Sequence, residues 1–234
     1  MQGRSAFGGL QVSFALHAMR ALVPDVPLRT LQTTFIAPMP VGEVWADAKI
    51  LRTGKNATHV ECRLGGEELQ ALVIGVFGAP RSSVVHLMPP RPPAPTHEPM
   101  RFPFVPGVTP NFTQHLEVDL LQGSLPFSGA TDPEQRLQIR LLDEGMADEL
   151  HVPLYADFIP PIGLSYLEVP APGSTLTWML ELLRERWDQL PLAGWSVDGR
   201  LESALSGYTS QFVTLWAPDG TPAAFSRQSM LVFG

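Results

Sequence analysis

A carboxylate placed in the least polar helical stretch of the second half of a chain invites a chemical question. Asp157 lies in Leu154-Tyr155-Ala156-Asp157-Phe158-Ile159. There it either sits at an exposed edge or is partly buried. Partial burial disfavours the charged form, lifts the pKa and makes a better general base. Asp148, ahead of the same stretch, reads most simply as a helix N-cap. The histidines at 17, 59, 86, 97, 115 and 151 show neither H-x-x-x-H nor H-E-x-x-H spacing, so no metal site is expected. Cys62 falls on the apolar face of an alternating segment and reads as core rather than as a nucleophile. No serine stands in G-x-S-x-G, and neither G-x-G-x-x-G nor G-x-x-x-x-G-K-[ST] occurs. A nucleophile-elbow hydrolase, a dinucleotide site and a triphosphate cradle are thereby disfavoured, and no cofactor is called for.

The elements that must position such a carboxylate follow from periodicity. Arg4 followed by Ala6 to Leu16 has the outline of a short secretory signal, but Gln11 and Ser13 interrupt it. Phe7, Leu10, Phe14, Ala18, Ala21 and Leu22 recur at helical spacing, which predicts an amphipathic helix buried on that face and ended by Pro24. Strand patterns come next. Leu31 to Ile36 is one. Val44, Ala46, Ala48 and Ile50 alternate with polar neighbours, and so do Thr58, Val60, Cys62 and Leu64. Gly65-Gly66 makes a tight turn into Leu69–Phe77, which is apolar on both faces and reads as a central strand.

Ten prolines then fall between Pro80 and Pro110, a density that neither sheet nor helix tolerates and that reads as a semi-rigid connector. Beyond it the outline repeats. Strands are expected at Leu116–Leu120 and Leu137–Leu141, a short helix over Val152–Ile159 ahead of Pro160-Pro161, and further strands after it. Trp195, Val197 and Leu201 alternate with polar residues, and Tyr208, Phe212 and Trp216 alternate with Thr209, Gln211 and Val213. The turn Pro218-Asp219-Gly220-Thr221 leads into a last strand, Ala223–Phe233. Each half is thus one helix plus a strongly curved antiparallel sheet, and because such a sheet leaves one face and its edges open, the two halves should pair into a continuous sheet.

Composition bounds the function. With 234 residues, 44% of them apolar, the chain is long enough for one large domain or two smaller ones. A net charge of -7 argues against a nucleic-acid surface. No run reaches the roughly 20 apolar residues that span a bilayer. A single cysteine excludes a disulfide framework and suits a reducing cytoplasm.

Several short motifs carry a family likeness. Phe7-Gly8-Gly9 opening a helix, Phe35-Ile36-Ala37-Pro38-Met39-Pro40-Val41-Gly42 and Leu51-Arg52-Thr53-Gly54-Lys55 resemble the first half of double hot-dog acyl-CoA thioesterases related to bacterial acyl-CoA thioesterase II. Ala156-Asp157-Phe158, Gly173-Ser174-Thr175-Leu176-Thr177 and Ser226-Arg227-Gln228-Ser229-Met230 resemble the places where that family carries its catalytic Asp, Thr and Gln. The likeness covers nearly the whole chain.

The resemblance implies an α+β double hot-dog, two curved antiparallel sheets each wrapped around a central helix. The N-terminal hot-dog would span 1–80 and lack its first strand, a Pro-rich linker would span 81–110, and the C-terminal hot-dog would span 111–234. It further implies hydrolysis of an acyl-CoA without a covalent intermediate. Asp157 would deprotonate a water held by Thr175 and Gln228, with Thr177 exchanging for Thr175 on a two-residue slip. A backbone N–H at the start of the first helix, Gly9, would polarise the thioester carbonyl. The acyl chain would lie between the halves against Phe158, Met179 and Met230. Further association into a homodimer or a higher homo-oligomer is the analogous expectation. Two rivals stand beside this reading. One is a hot-dog that binds acyl-CoA without turnover. The other is a hydratase or dehydratase, which wants a histidine and a carboxylate facing one substrate carbon.

Overall fold

The computed structural model describes residues 3–95, 98–187 and 189–233; His97 lies outside the described residues. The chain opens with α1 (Gly8–Arg20), followed by β1 (Leu28–Phe35), β2 (Trp45–Thr53), β3 (Ala57–Gly65) and β4 (Leu69–Gly78). The second half contains β5 (Met100–Arg101), β6 (Leu116–Gln122), β7 (Glu134–Leu141), β8 (Met146–Ala147), α2 (His151–Ala156) and β9 (Gly173–Leu182). It closes with β10 (Leu190–Pro191), β11 (Trp195–Leu205), β12 (Tyr208–Trp216) and β13 (Pro222–Val232). Short 3-10 turns cover Asn111–His115 and Ile162–Tyr166.

The sheets of the two halves run on as one. Eleven strands run in the order β2-β3-β4-β1-β9-β13-β12-β11-β7-β6-β5, and β8 pairs with β10 apart from them. The junction is β1 against β9, antiparallel, with Leu31 opposite Leu180 and Thr33 opposite Trp178. Fusion there pairs the backbone groups that each half would otherwise expose at an edge. The extended connector is also shorter than expected. Among the described residues 79–99 have no helix or strand, but Met100–Arg101 already pairs with Asp119 and Leu120 as the outermost strand.

Helix α1 packs on β2, β3 and β4. Val12, Ala15, Leu16 and Met19 are buried, whereas Leu10 is 55% and Phe14 36% exposed. The buried face is therefore not the one that apolar spacing predicts. Gln11 and Ser13 make the difference, because both are buried with polar partners. Gln11 Nε2 donates to Ala6 O at 2.8 Å, and Ser13 Oγ lies 2.6 Å from Leu150 O. Full burial of a side chain such as Leu16 or Met19 stabilises by about 1.5–3 kcal/mol, so the interior stripe decides the rotation of the helix.

Helix α2 touches β11, β12 and β13 and is shorter than expected, ending at Ala156. Asp157 follows as its C-cap, and Pro160-Pro161 stops any continuation. Asp148 does not occupy the N-cap, which is Leu150, but its Oδ1 accepts the Leu150 N–H at 2.8 Å. Tyr155 anchors the helix, stacking on Trp195 at 4.8 Å and donating its hydroxyl to Leu192 O at 2.7 Å. On β12 the inward set is Thr209, Gln211, Val213 and Leu215, while Tyr208 is exposed, which reverses the face suggested by the aromatic residues. No helix among the described residues is long and apolar enough to cross a membrane.

Candidate active site

The helices meet where a side chain would obstruct them. A Cβ on Gly9 would lie 2.7 Å from Pro153 O and 3.0 Å from Leu154 Cα. A Cβ on Gly8 would lie 2.7 Å from Asp157 Oδ2. Two glycines thus bring the N-terminus of α1 against the C-terminal end of α2. Farther along, Arg20 donates to both carboxylate oxygens of Glu149 from one guanidinium edge, Nε and Nη2, and fixes the other end of the contact.

At this junction the Gly9 N–H donates to Asp157 Oδ2 at 2.6 Å, and Gln228 Nε2 donates to Asp157 Oδ1 at 2.5 Å. Burial pushes the Asp157 carboxyl up to about 7, against the opposing effect of those two donors. The positive end of the 13-residue helix α1 also favours the anion. The outcome is a carboxylate that takes up a proton near neutrality while two fixed donors hold its oxygens in place.

Asp157 opens onto a cavity of about 220 Å³ that is lined on its polar side by Ser5, Gln11, Ser174 and Thr175 and on its apolar side by residues including Phe35 and Met230. The position of Thr175 depends on a bulge in β9. Ser229 pairs with Thr177, but Met230 pairs with Thr175, leaving Leu176 as the extra residue. Paired residues share a side of the sheet, so Thr175 faces the way of Met230 and Gln228. Thr177 instead joins exposed Ser229 on the outer face. The two threonines do not share a face, and the cavity receives Thr175.

The other expected contacts divide. Met230 is buried and lines the cavity. Met179 does not. It pairs with exposed Arg227 and exposed Gln32, on the side of the sheet away from Trp178 and Gln228. Phe158 is core instead of cavity wall. It is 6% exposed and meets Phe112 edge-on at 5.9 Å, and Phe112 stacks on Phe7 at 3.9 Å. The Gly9 N–H is occupied by the Asp157 carboxylate, so in this geometry it does not face a substrate carbonyl. Cys62 is buried, and that burial, with Asp47 and Glu61 nearby, pushes its thiol up to about 12, which excludes it as a nucleophile.

Residue-type reasoning missed one member of the site. Gln211 Nε2 donates to Gln228 Oε1 at 3.0 Å, and Gln211 Oε1 accepts the Ile162 N–H at 3.0 Å. Hairpin counting would have found it. Pairing back from the Pro218–Thr221 turn puts Gln211 directly opposite Gln228, as the structure has it.

The sheet, the two helices that meet at Asp157 and the cavity beside it are the setting in which the comparisons with known proteins are read. Residues 1–78 match the family model of the acyl-CoA thioesterase N-terminal domain, and residues 89–232 match that of the C-terminal domain. The chain belongs to this acyl-CoA thioesterase family and is a thioester hydrolase. No curated protein matches it significantly.

Solved structures share the fold along the whole chain. A conserved hot-dog protein of unknown function from Alicyclobacillus acidocaldarius is 23% identical with a TM-score of 0.86, covering 100% of this chain and 89% of that one. A candidate thioesterase II from Thermobifida fusca YX is 21% identical with a TM-score of 0.84, again covering 100% and 89%. An acyl-CoA thioesterase II from Mycobacterium marinum is 16% identical with a TM-score of 0.71, covering 98% of this chain and 90% of that one.

Proposed function

We propose that the chain hydrolyses acyl-CoA thioesters by direct attack of a water molecule, with Asp157 as general base. One observation carries this reading. Among the described residues the cavity is lined by one carboxylate, whose two oxygens are each fixed by one donor and whose pKa lies near neutrality. A base of that pKa is substantially ionised at neutral pH and still accepts a proton readily. Among the described residues no histidine lines the cavity, which disfavours the dehydratase reading.

In the step itself Asp157 takes a proton from water while the oxygen bonds to the thioester carbon, and the tetrahedral intermediate collapses with cleavage of the C–S bond. The CoA thiolate leaves without strong acid assistance, since an ordinary thiol has a pKa near 8.5. Its proton returns from Asp157 or from solvent. Thr175 and the second N–H of the Gln228 amide orient the water. The N–H of Gly8, a first-turn donor without an intrahelical acceptor that also lines the cavity, takes over the carbonyl-polarising role expected of Gly9. The halves 1–80 and 111–234 are read as the two hot-dog units. The placement of Asp157 in one and Gly9 in the other supports their acting as a pair.

The test is thiol release from a panel of acyl-CoAs of graded chain length, for the wild type and Asp157→Asn. Loss of the base should lower kcat by roughly 10²–10⁴-fold. Equal rates in the two proteins would dismiss Asp157.

A further inference from the structure

We propose that Gln211 is a positioning residue for the catalytic carboxylate: anchored on a backbone N–H, it fixes which way the Gln228 amide faces and thereby holds a donor on Asp157. This rests on the reading of Asp157 as the base. The polarity of the whole chain of contacts follows from its far end. The Ile162 N–H can only donate, so the group of Gln211 facing it at 3.0 Å must be the carbonyl oxygen. The Gln211 NH₂ then points the other way and can only donate, so Gln228 must turn its own carbonyl toward it, at 3.0 Å. That leaves the Gln228 NH₂ on Asp157 Oδ1 at 2.5 Å. Both glutamines are 1% exposed, so water does not compete for any of these contacts.

The arrangement also closes a loop. Asp157 and Ile162 belong to one segment, stiffened by Pro160 and Pro161, and the glutamine pair spans it from the carboxylate to the peptide N–H. Gln211 and Gln228 stand directly opposite each other on β12 and β13, so the bridge is rooted in paired strands and not in a loop. Were Gln228 to reverse, its carbonyl would face the carboxyl oxygen. That contact is tolerable only if Asp157 carries a proton and is no longer a base. Gln211 therefore favours the ionised form of the base without touching substrate.

The experiment compares the pH dependence of kcat/KM for the wild type, Gln211→Met, Gln228→Ala and the double variant, with Asp157→Asn alongside. Gln211→Met should lower kcat/KM at neutral pH by roughly 3- to 10-fold, in keeping with one lost orienting hydrogen bond. Its acid limb should move upward by about half a pH unit to one unit. In the Gln228→Ala background the same substitution should cost nothing further in kcat/KM, because its effect passes through Gln228. If Gln211→Met does not fold, Gln211→Asn serves. Its shorter side chain can keep one of the two contacts but not both, and the same upward shift is expected. A folded Gln211 variant with the wild-type acid limb, or an equal loss in both backgrounds, overturns the proposal. If Asp157→Asn alone abolishes turnover in that case, the assignment of the base stands. An Asp157→Asn protein at wild-type rate overturns both.

Discussion

Asp157 should make stability fall with pH in a way that its amide variant does not. The carboxyl has an ordinary value of 3.8 in the unfolded chain and about 7 in the folded protein. Below pH 3.8 it is protonated in both states and costs nothing. Above about 7 it is ionised in both, and the folded state bears the full cost of an anion removed from water. Between those limits the folded state holds more protons than the unfolded one, so unfolding becomes easier as pH rises. At 1.36 kcal/mol per pH unit the difference is about 4 kcal/mol. Asp157→Asn removes the titration but creates a donor-donor conflict with Gly9 or Gln228, so its absolute stability is a poor guide. The change in the wild-type-minus-variant difference cancels that conflict. Urea unfolding of both proteins at intervals from pH 4 to 8 should show the difference moving against the wild type by about 4 kcal/mol, most of it between pH 5 and 7. Parallel curves would mean an ordinary carboxylate in contact with water, and the electrostatic account of the site would be wrong.

Three further outcomes follow from the geometry. Gly9→Ala should destabilise by about 1–3 kcal/mol in urea unfolding, because its methyl meets the Pro153 carbonyl and the Leu154 Cα, neither of which can rotate away. Thr175→Val should lower kcat while Thr177→Val leaves it near the wild-type value, a comparison that reads out the bulge at Leu176 in a thiol-release assay. Met230→Ala should enlarge the cavity and move the acyl-length optimum in the CoA panel, and Met179→Ala should leave that optimum in place.

The sequence was most legible where burial and polarity coincide. Val60, Cys62 and Leu64 alternate with polar residues and are buried as alternation requires, and β4 sits between β3 and β1 as its two apolar faces demand. Legibility failed where polar side chains point inward. Gln11 and Ser13 turned the reading of α1 to the wrong face, since apolar counting cannot credit a buried amide whose Nε2 is satisfied by Ala6 O. Gln211 was passed over for the same reason, hidden on β12 behind Tyr208 and Phe212. The Thr175–Thr177 ambiguity had a different origin, because a period of two carries no record of an inserted residue. Asp157 stood out by its apolar neighbours, but its partner Gly9 lies 148 residues away and nothing local connects the two.

That long-range contact bears on how such a chain could be divided. One half carries Asp157 and the other supplies the peptide hydrogen that steadies it, so neither fragment alone would hold the carboxylate as the whole chain does. Among the described residues, 79–99 contribute no strand to the junction, which is made by β1 with β9 and α1 with α2. On the reading of Asp157 as the base, a gene split within that stretch should yield two polypeptides that release no thiol apart and regain turnover when mixed.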